Sequence, residues 1–394
     1  MLRNECDILP VFLKHLSGLF ERGYLLNHRS VDGSGEILSS FAQSHSGFRV
    51  FNLDFNGYHQ REISETFMKK AFAEGADLVF FLDADEFVDV SDKAKFDRLC
   101  ESLAAQEALG FMPWRNIIMP ESPIAGNDGL GPFPIPSILG PPNARLRKVI
   151  VTKRFFEANR GNFDICQGNH DVRLFKKHGR LHYRFFCSLI HLPIRSAAQL
   201  RMKICLGALA YIAKSDRRDL EGFHWVDMLK IAAKNELSPG MLRGIVANYS
   251  IRDRLVRDIT VDELLDLGFE HYKFNPLLKE DGWRYPGKLT IDDGLGPIMD
   301  ALASFGVEYA NSGSFTVVEP TGSQPGLVTL STAHSRDMHS FEGSGRPAGR
   351  APTESVEALR AELATIYASR AWQLTLRVRR VYQLVNRLTG NVFK

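Results

Sequence analysis

Three carboxylates stand almost side by side in Asp83-Ala84-Asp85-Glu86, directly after the apolar run Leu78-Val79-Phe80-Phe81-Leu82. Such a run reads as a buried strand of a mostly parallel sheet. In an open α/β sheet, ligands bind outside the carboxyl ends of the strands. Two aspartates one residue apart at such an end, with a glutamate after them, could hold a hard divalent cation whose other ligands are waters and phosphate oxygens. A solvated turn with a helix N-cap explains the same residues, and the short string does not separate the two. The segments before it do more.

Those segments must build the sheet that positions the acids. Apolar residues at Ile8, Leu9, Phe12, Leu13, Leu16, Leu19 and Phe20 have helical spacing, with Asp7 as the expected N-cap and Pro10 near the first turn. Arg3-Asn4-Glu5 precedes that helix, where it suits either a nucleotide contact or plain capping. A domain of this kind normally has a strand first, so either Met1 lies inside that strand or the true start is upstream. Tyr24–His28 reads as a strand, Arg29-Ser30-Val31-Asp32-Gly33-Ser34 as a tight turn, and the residues from Ile37 as a helix. A strand over 49–53, a helix from about Arg61 to Phe72 and a stop at Gly75 complete the approach to Asp83. Helix and strand alternate, which is the pattern of a doubly wound parallel sheet. No G-x-G-x-x-G and no phosphate loop of the G-x-x-x-x-G-K-[ST] type occurs.

Three motifs in order, Arg3-Asn4-Glu5, Asn27-His28-Arg29-Ser30-Val31-Asp32-Gly33-Ser34 and Phe81-Leu82-Asp83-Ala84-Asp85-Glu86-Phe87, resemble glycosyltransferase family 2, in a branch similar to family 92. The likeness covers roughly the first 110 residues, and more loosely those to about 215. It implies a GT-A fold: a mixed, mostly parallel sheet flanked by helices, here with a mainly helical C-terminal region. It further implies an enzyme that moves a sugar from a nucleotide diphosphate, UDP-linked by expectation, to a hydroxyl of a glycan or lipid-linked acceptor. By that resemblance Arg3, Glu5, Asp32, Arg61 and Asp83 would serve the nucleotide, and Asp85 would reach Mn2+ or Mg2+ on the diphosphate. A late histidine often completes the metal site; His170 is the first choice and His191 the second, with Arg195-Ser196 after it as a helix start suited to phosphate. Family 2 also implies inversion, which requires a base for the acceptor hydroxyl. Asp171 and Glu86 are the candidates, although Glu86 equally suits a helix cap.

The remaining chain frames these residues. A helix is expected over 93–105, strands over 110–114 and 147–151, and a helix over 196–211. Pro120–Pro142, rich in Pro, Gly and Ser, reads as a lid or a plain insertion. The expected division is a transferase domain over 1–215, a helical extension over 216–310, a flexible linker over 311–353, and a basic amphipathic helix over 354–394. Trp225 and Trp283 suit core packing better than a sugar platform. The last helix, with Arg377, Arg379, Arg380 and Arg387 among apolar residues, fits either an anionic membrane face or a docking surface on protein. A net charge of +3 argues against nucleic acid as partner. Five scattered cysteines without a C-x-x-C fit a reducing compartment, and no signal peptide or spanning run is seen, so a cytoplasmic location is expected. A sugar nucleotidyltransferase is a rival, although it would need a Gly-rich basic loop after its first strand. A non-catalytic carbohydrate- or nucleotide-binding protein on a degenerate fold is the other.

Overall fold

A computed structural model describes residues 1–53, 59–119, 133–143, 145–175, 181–212, 237–249, 256–277 and 326–328, together with Trp225, Met228 and Ile231. The first element is α1 (Leu9–Leu19), which starts with Pro10 in its first turn and buries every residue except Lys14. Its N-cap is Ile8, which makes no side-chain cap bond, so the expected cap at Asp7 is corrected. Asp7 is committed elsewhere, to Arg195. Next, β1 (Gly23–His28) pairs in parallel with β2 (Phe48–Leu53) across α2 (Ser34–Ser44). Leu2 makes a parallel bridge to Asn27, so the first residues lie along the same sheet. The helix α3 (Gln60–Ala73) is followed by Gly75, whose φ of 88° is open to glycine at no steric cost.

The elements that follow are β3 (Leu78–Phe80), β4 (Glu86–Val88), α4 (Lys93–Ala104), β5 (Leu109–Ile118), β6 (Ile135–Leu139) and β7 (Arg147–Thr152). After them come α5 (Lys153–Ala158), β8 (Phe163–Ile165), β9 (Val172–Leu174), β10 (Tyr183–Phe185), β11 (Leu189–His191) and α6 (Ala197–Ile212). The described elements close with α7 (Pro239–Ala247), α8 (Val261–Asp266), β12 (Glu270–Phe274) and β13 (Gly326–Val328). One sheet joins β1, β2 and β13; a larger one runs β12-β6-β5-β11-β4, with β10 and β7 also on β5 and β3 on β7. Helices cover these sheets and close the apolar core between them.

Three expectations are corrected here. The sheet is mixed, and antiparallel pairings outnumber parallel ones among the described strands; β3 itself is three residues long and pairs antiparallel with β7. An apolar run covered on both faces looks the same whichever way its neighbour points, so the run could not disclose direction. Glu86 caps no helix: it opens β4, and Asp92 caps α4 by accepting from the Lys95 amide. The second half of the Pro120–Pro142 stretch is not all loop, because β6 stands between β5 and β12; residues 120–132 lie outside the described ones.

Within the stretch read as a helical extension, β12 pairs with β6 and α7 packs on the core of the main sheet. β13, in the stretch read as a linker, pairs in parallel with β2. Trp225 is part of the apolar core, its ring against Gly207. Trp283 and the helix expected over 354–394 lie outside the described residues. Among the described residues no helix is long and apolar enough to cross a membrane.

Candidate functional site

β3 ends at Phe80, and the chain turns through Asp83–Asp85 into β4. The antiparallel register places Ile150 opposite Phe80, so Lys148, two residues further along β7, comes up beside the turn. Its Nζ lies 2.6 Å from Asp83 Oδ2 and 3.4 Å from Glu86 Oε1. Both Lys148 and Glu86 are fully buried. Glu86 Oε2 accepts the Asp83 amide at 2.9 Å, so this carboxylate holds the turn closed. Burial pushes the Glu86 carboxyl up to about 8, aided by Asp83 and Asp85 and opposed by Lys148. Burial acts the same way on Asp83, but the Lys148 ammonium outweighs it and holds that carboxyl below the usual range. From α3, Gln60 Nε2 reaches Asp83 Oδ1 at 3.4 Å.

Asp85 points to the other side. The antiparallel pairing of β4 with β11 sets His191 opposite Glu86, and the Leu192 amide donates to the Asp85 carbonyl at 2.8 Å. His191 Nε2 is 3.8 Å from Asp85 Oδ2. The same Oδ2 carries the ammonium of Lys203, which arrives from α6. His191 lies flat on Trp114, with ring centroids 4.0 Å apart, and has Tyr249 edge-on at 5.3 Å. Its tautomer follows from Asn116. That amide nitrogen donates to the Val246 carbonyl, so its Oδ1 accepts from His191 Nδ1–H at 2.8 Å. Burial pushes the imidazole down to about 3 against the pull of Asp85, so the ring is neutral and Nε2 offers a lone pair toward Asp85. The Lys203 ammonium on Asp85 Oδ2 balances the carboxylate charge at that point. Burial lowers the Lys203 ammonium, yet Asp85 and Glu5 outweigh it and hold its proton firmly. Burial likewise raises Asp85, and Lys203 leads the charges that carry it well below the usual carboxylate range.

The N-terminal segment closes the cluster. Arg195, 3% exposed, grips Asp7 through Nε and through Nη2 at 2.7 Å, and Nη2 also donates to Glu5. Glu5 Oε1 is 4.0 Å from Lys203 Nζ. Burial pushes Glu5 up to about 7, even though Arg195 and Lys203 pull it down. Arg195 Nη1 is buried and has no hydrogen-bond partner among the described residues. The turn after β1 supports this segment. Asn4 N–H donates to Ser30 Oγ at 3.0 Å, Glu5 N–H to Ser34 Oγ at 3.1 Å, and Cys6 N–H to Asp32 Oδ2 at 2.9 Å. Asp32 Oδ1 also accepts from the Ser34 amide and hydroxyl, so Asp32 clamps two backbone segments together. Asn4 and Arg29 carry this joint at φ of 56° and 50°, a left-handed conformation uncommon outside glycine.

The fold therefore brings together Glu5, Asp83, Asp85, Glu86 and His191. Other expected residues stand apart. Arg61 is bound to Glu62 at 2.8 Å and faces Asp164 at 3.7 Å. His170 Nδ1–H donates to the Arg147 carbonyl at 2.9 Å, and its ring meets the Trp114 ring edge-on rather than Asp85. Asp171 accepts from Arg147 at 3.1 Å, from the Val172 amide at 2.8 Å and from Tyr183. Arg3 lies in the segment beside Glu5. The residues missed from the sequence are the cations: Lys148, Lys203 and the role of Arg195. A lysine inside the apolar strand Arg147-Lys148-Val149-Ile150-Val151 was the one signal for the first. Lys203 had none.

Whether this set fits the divalent cation implied by the two aspartates turns on Asp85 Oδ2. As the chain is arranged, that oxygen holds Lys203 while Asp83 holds Lys148, and no group of three metal-ligating side chains is found among the described residues. A metal at Asp85 and His191 would have to displace an ammonium. Comparisons with protein-family models, with curated proteins and with solved structures give no match to this chain. The site is thus read on its own chemistry. Several buried ion pairs gathered at one end of a sheet are costly, and ionisable groups shifted this far cluster at functional sites.

Proposed function

We propose that the chain is a glycosyltransferase that takes its sugar from a nucleoside diphosphate donor, UDP-linked in the expected form, and delivers it to an acceptor hydroxyl on a glycan or lipid-linked glycan. The observation that supports this reading is the convergence of three separated segments. Residues 3–7 hang on the turn at 30–34 through backbone-to-side-chain bonds, and Glu5 meets the Asp85 neighbourhood through Lys203. Those are the segments that the family resemblance assigns to the donor, and the GT-A architecture belongs to the same proposal.

In such a transfer the bond between the anomeric carbon and the β-phosphate oxygen breaks, and its electron pair stays on the diphosphate. The acceptor oxygen forms the new bond from the opposite face and gives its proton to a base. Cationic groups fixed beside the leaving oxygens stabilise the charge that develops there. Asp83 and Asp85 would hold Mn2+ or Mg2+ only if Lys148 and Lys203 gave way, and the metal would then supply that positive charge; in the arrangement seen, Lys203 and Arg195 are the cations beside Asp85 and Glu5. Glu86 is fully buried and bonded to the Asp83 amide, which suits holding the turn rather than meeting an acceptor. Asp171, the other expected base, is half-exposed and tied to Arg147 and Tyr183, apart from this cluster.

Turnover of a panel of nucleotide sugars, followed as released nucleoside diphosphate and as glycosylated product, tests the proposal. Asp85→Ala, folded by circular dichroism, is expected to lose turnover. Full activity in that variant would sink the reading. Binding of nucleotide without any sugar release would favour the non-catalytic rival.

A further inference from the structure

We propose that Lys203 is the resident cation of this site: with Arg195 it receives the diphosphate of the ligand, so that anion binding requires Lys203 and does not require a divalent metal. The inference rests on the nucleotide-diphosphate reading only for the identity of the ligand; the anion site itself stands on geometry.

Three observations carry it. First, Asp85 Oδ2 and His191 Nε2 face each other at 3.8 Å, and the Lys203 ammonium is already on that oxygen. A metal there would have to expel an ammonium from a buried carboxylate, and so leave one of the two charges without its partner. Second, Lys203 has more to give than Asp85 takes. An ammonium carries three donors, and Lys203 stands between Asp85 and Glu5, 4.0 Å from the latter. Third, Arg195 holds its place with Nε and Nη2, both spent on Asp7 and Glu5, while Nη1 is buried with no partner among the described residues. A buried guanidinium nitrogen without an acceptor is costly. It is also the group that a phosphate oxygen satisfies. Lys203 and Arg195 share Glu5, so an anion that reaches one meets the other.

The role of the carboxylates changes with this assignment. Asp85 orients a permanent cation in place of a metal, and Glu5 and Asp7 orient the guanidinium. The carboxylates also offset the charge of these cations.

Calorimetric titration with inorganic pyrophosphate and with UDP, each in EDTA and in Mn2+, separates the alternatives. In EDTA, wild-type protein is expected to bind both, and Mn2+, which complexes the free diphosphate, is expected to tighten neither. Lys203→Met should weaken pyrophosphate binding at least tenfold in EDTA, and Lys203→Arg should recover most of it. The conservative variant covers the case in which the methionine variant fails to fold. Wild-type binding that appears only with Mn2+ would overturn the inference and leave the nucleotide reading standing. Pyrophosphate binding that depends on Lys203, without any binding of UDP or another nucleoside diphosphate, would keep the anion site and remove the nucleotide reading. Binding of neither, with or without Mn2+, would remove both.

Discussion

Arg195 is the residue on which the joint between the N-terminal segment and α6 depends, and its removal has a computable cost. The guanidinium joins Asp7 and Glu5 to a residue nearly two hundred positions later, with side-chain exposures of 2% for the arginine and 14% for each carboxylate. Arg195→Met keeps the volume of the stem but leaves the two carboxylates facing each other in a buried place. Removing one partner of a buried ion pair costs about 3 to 5 kcal/mol. Glu5 moderates this, because burial already pushes it up to about 7 and it can take a proton. Asp7 loses a two-point grip and bears the rest. The expected loss is therefore at the lower end, about 3 kcal/mol, which lowers Tm by only about 4 °C at this size. Arg195→Lys restores the charge but not the fork, and should recover about half of it. Urea unfolding of the three proteins at neutral pH measures this, with the m-value as a check that the denatured state has not changed. A loss of less than about 1 kcal/mol for Arg195→Met, or equal losses for both variants, would refute the reasoning about a buried, geometry-dependent clamp.

Two further outcomes are expected. Glu86 has a carboxyl raised to about 8 in the fold by burial, so its contribution to stability is fully present below its unfolded value near 4.5 and is lost as pH rises through about 8. Glu86→Gln should therefore gain on the wild type between about pH 5 and pH 8, by up to about 1.4 kcal/mol for each pH unit; thermal melts at several pH values would show it, and a pH-independent difference would contradict it. Asp32→Ala removes acceptors for the Cys6 amide and for both the amide and hydroxyl of Ser34. It should cost about 2 kcal/mol in urea unfolding, whereas a change within a few tenths would mean that the turn at 30–34 is held by other bonds.

Much of the frame was legible in the sequence because it is written in local periodicity. The 3.6-residue spacing of Leu9, Phe12, Leu13 and Leu16 gave α1, and the turn residues Asp32-Gly33-Ser34 marked the passage from β1 to α2. The acidic string after an apolar run located the turn between β3 and β4. What was not legible depends on contacts between distant residues. An apolar run does not state whether its neighbour is parallel, so β3 was given the wrong partner direction. Lys148, Lys203 and Arg195 belong to no motif, and their meaning appears only when β7, α6 and the segment at 5–7 meet the acids. Asp7 shows the same limit: its position before a helix suggested a cap, and the stronger claim on it came from a guanidinium far along the chain. His170 is the first choice from the sequence and His191 the second, whereas the β4–β11 register sets His191 opposite Glu86 and His170 lies against Trp114.

The central claim, that this cluster receives a nucleoside diphosphate, is tested most directly by titrating UDP and its purine counterparts into the wild-type protein in a calorimeter. The account predicts saturable binding in the micromolar range by at least one of them, and competition by the matching nucleotide sugar. Absence of binding by every nucleoside diphosphate, with the protein folded and the titration repeated in Mn2+, would contradict it.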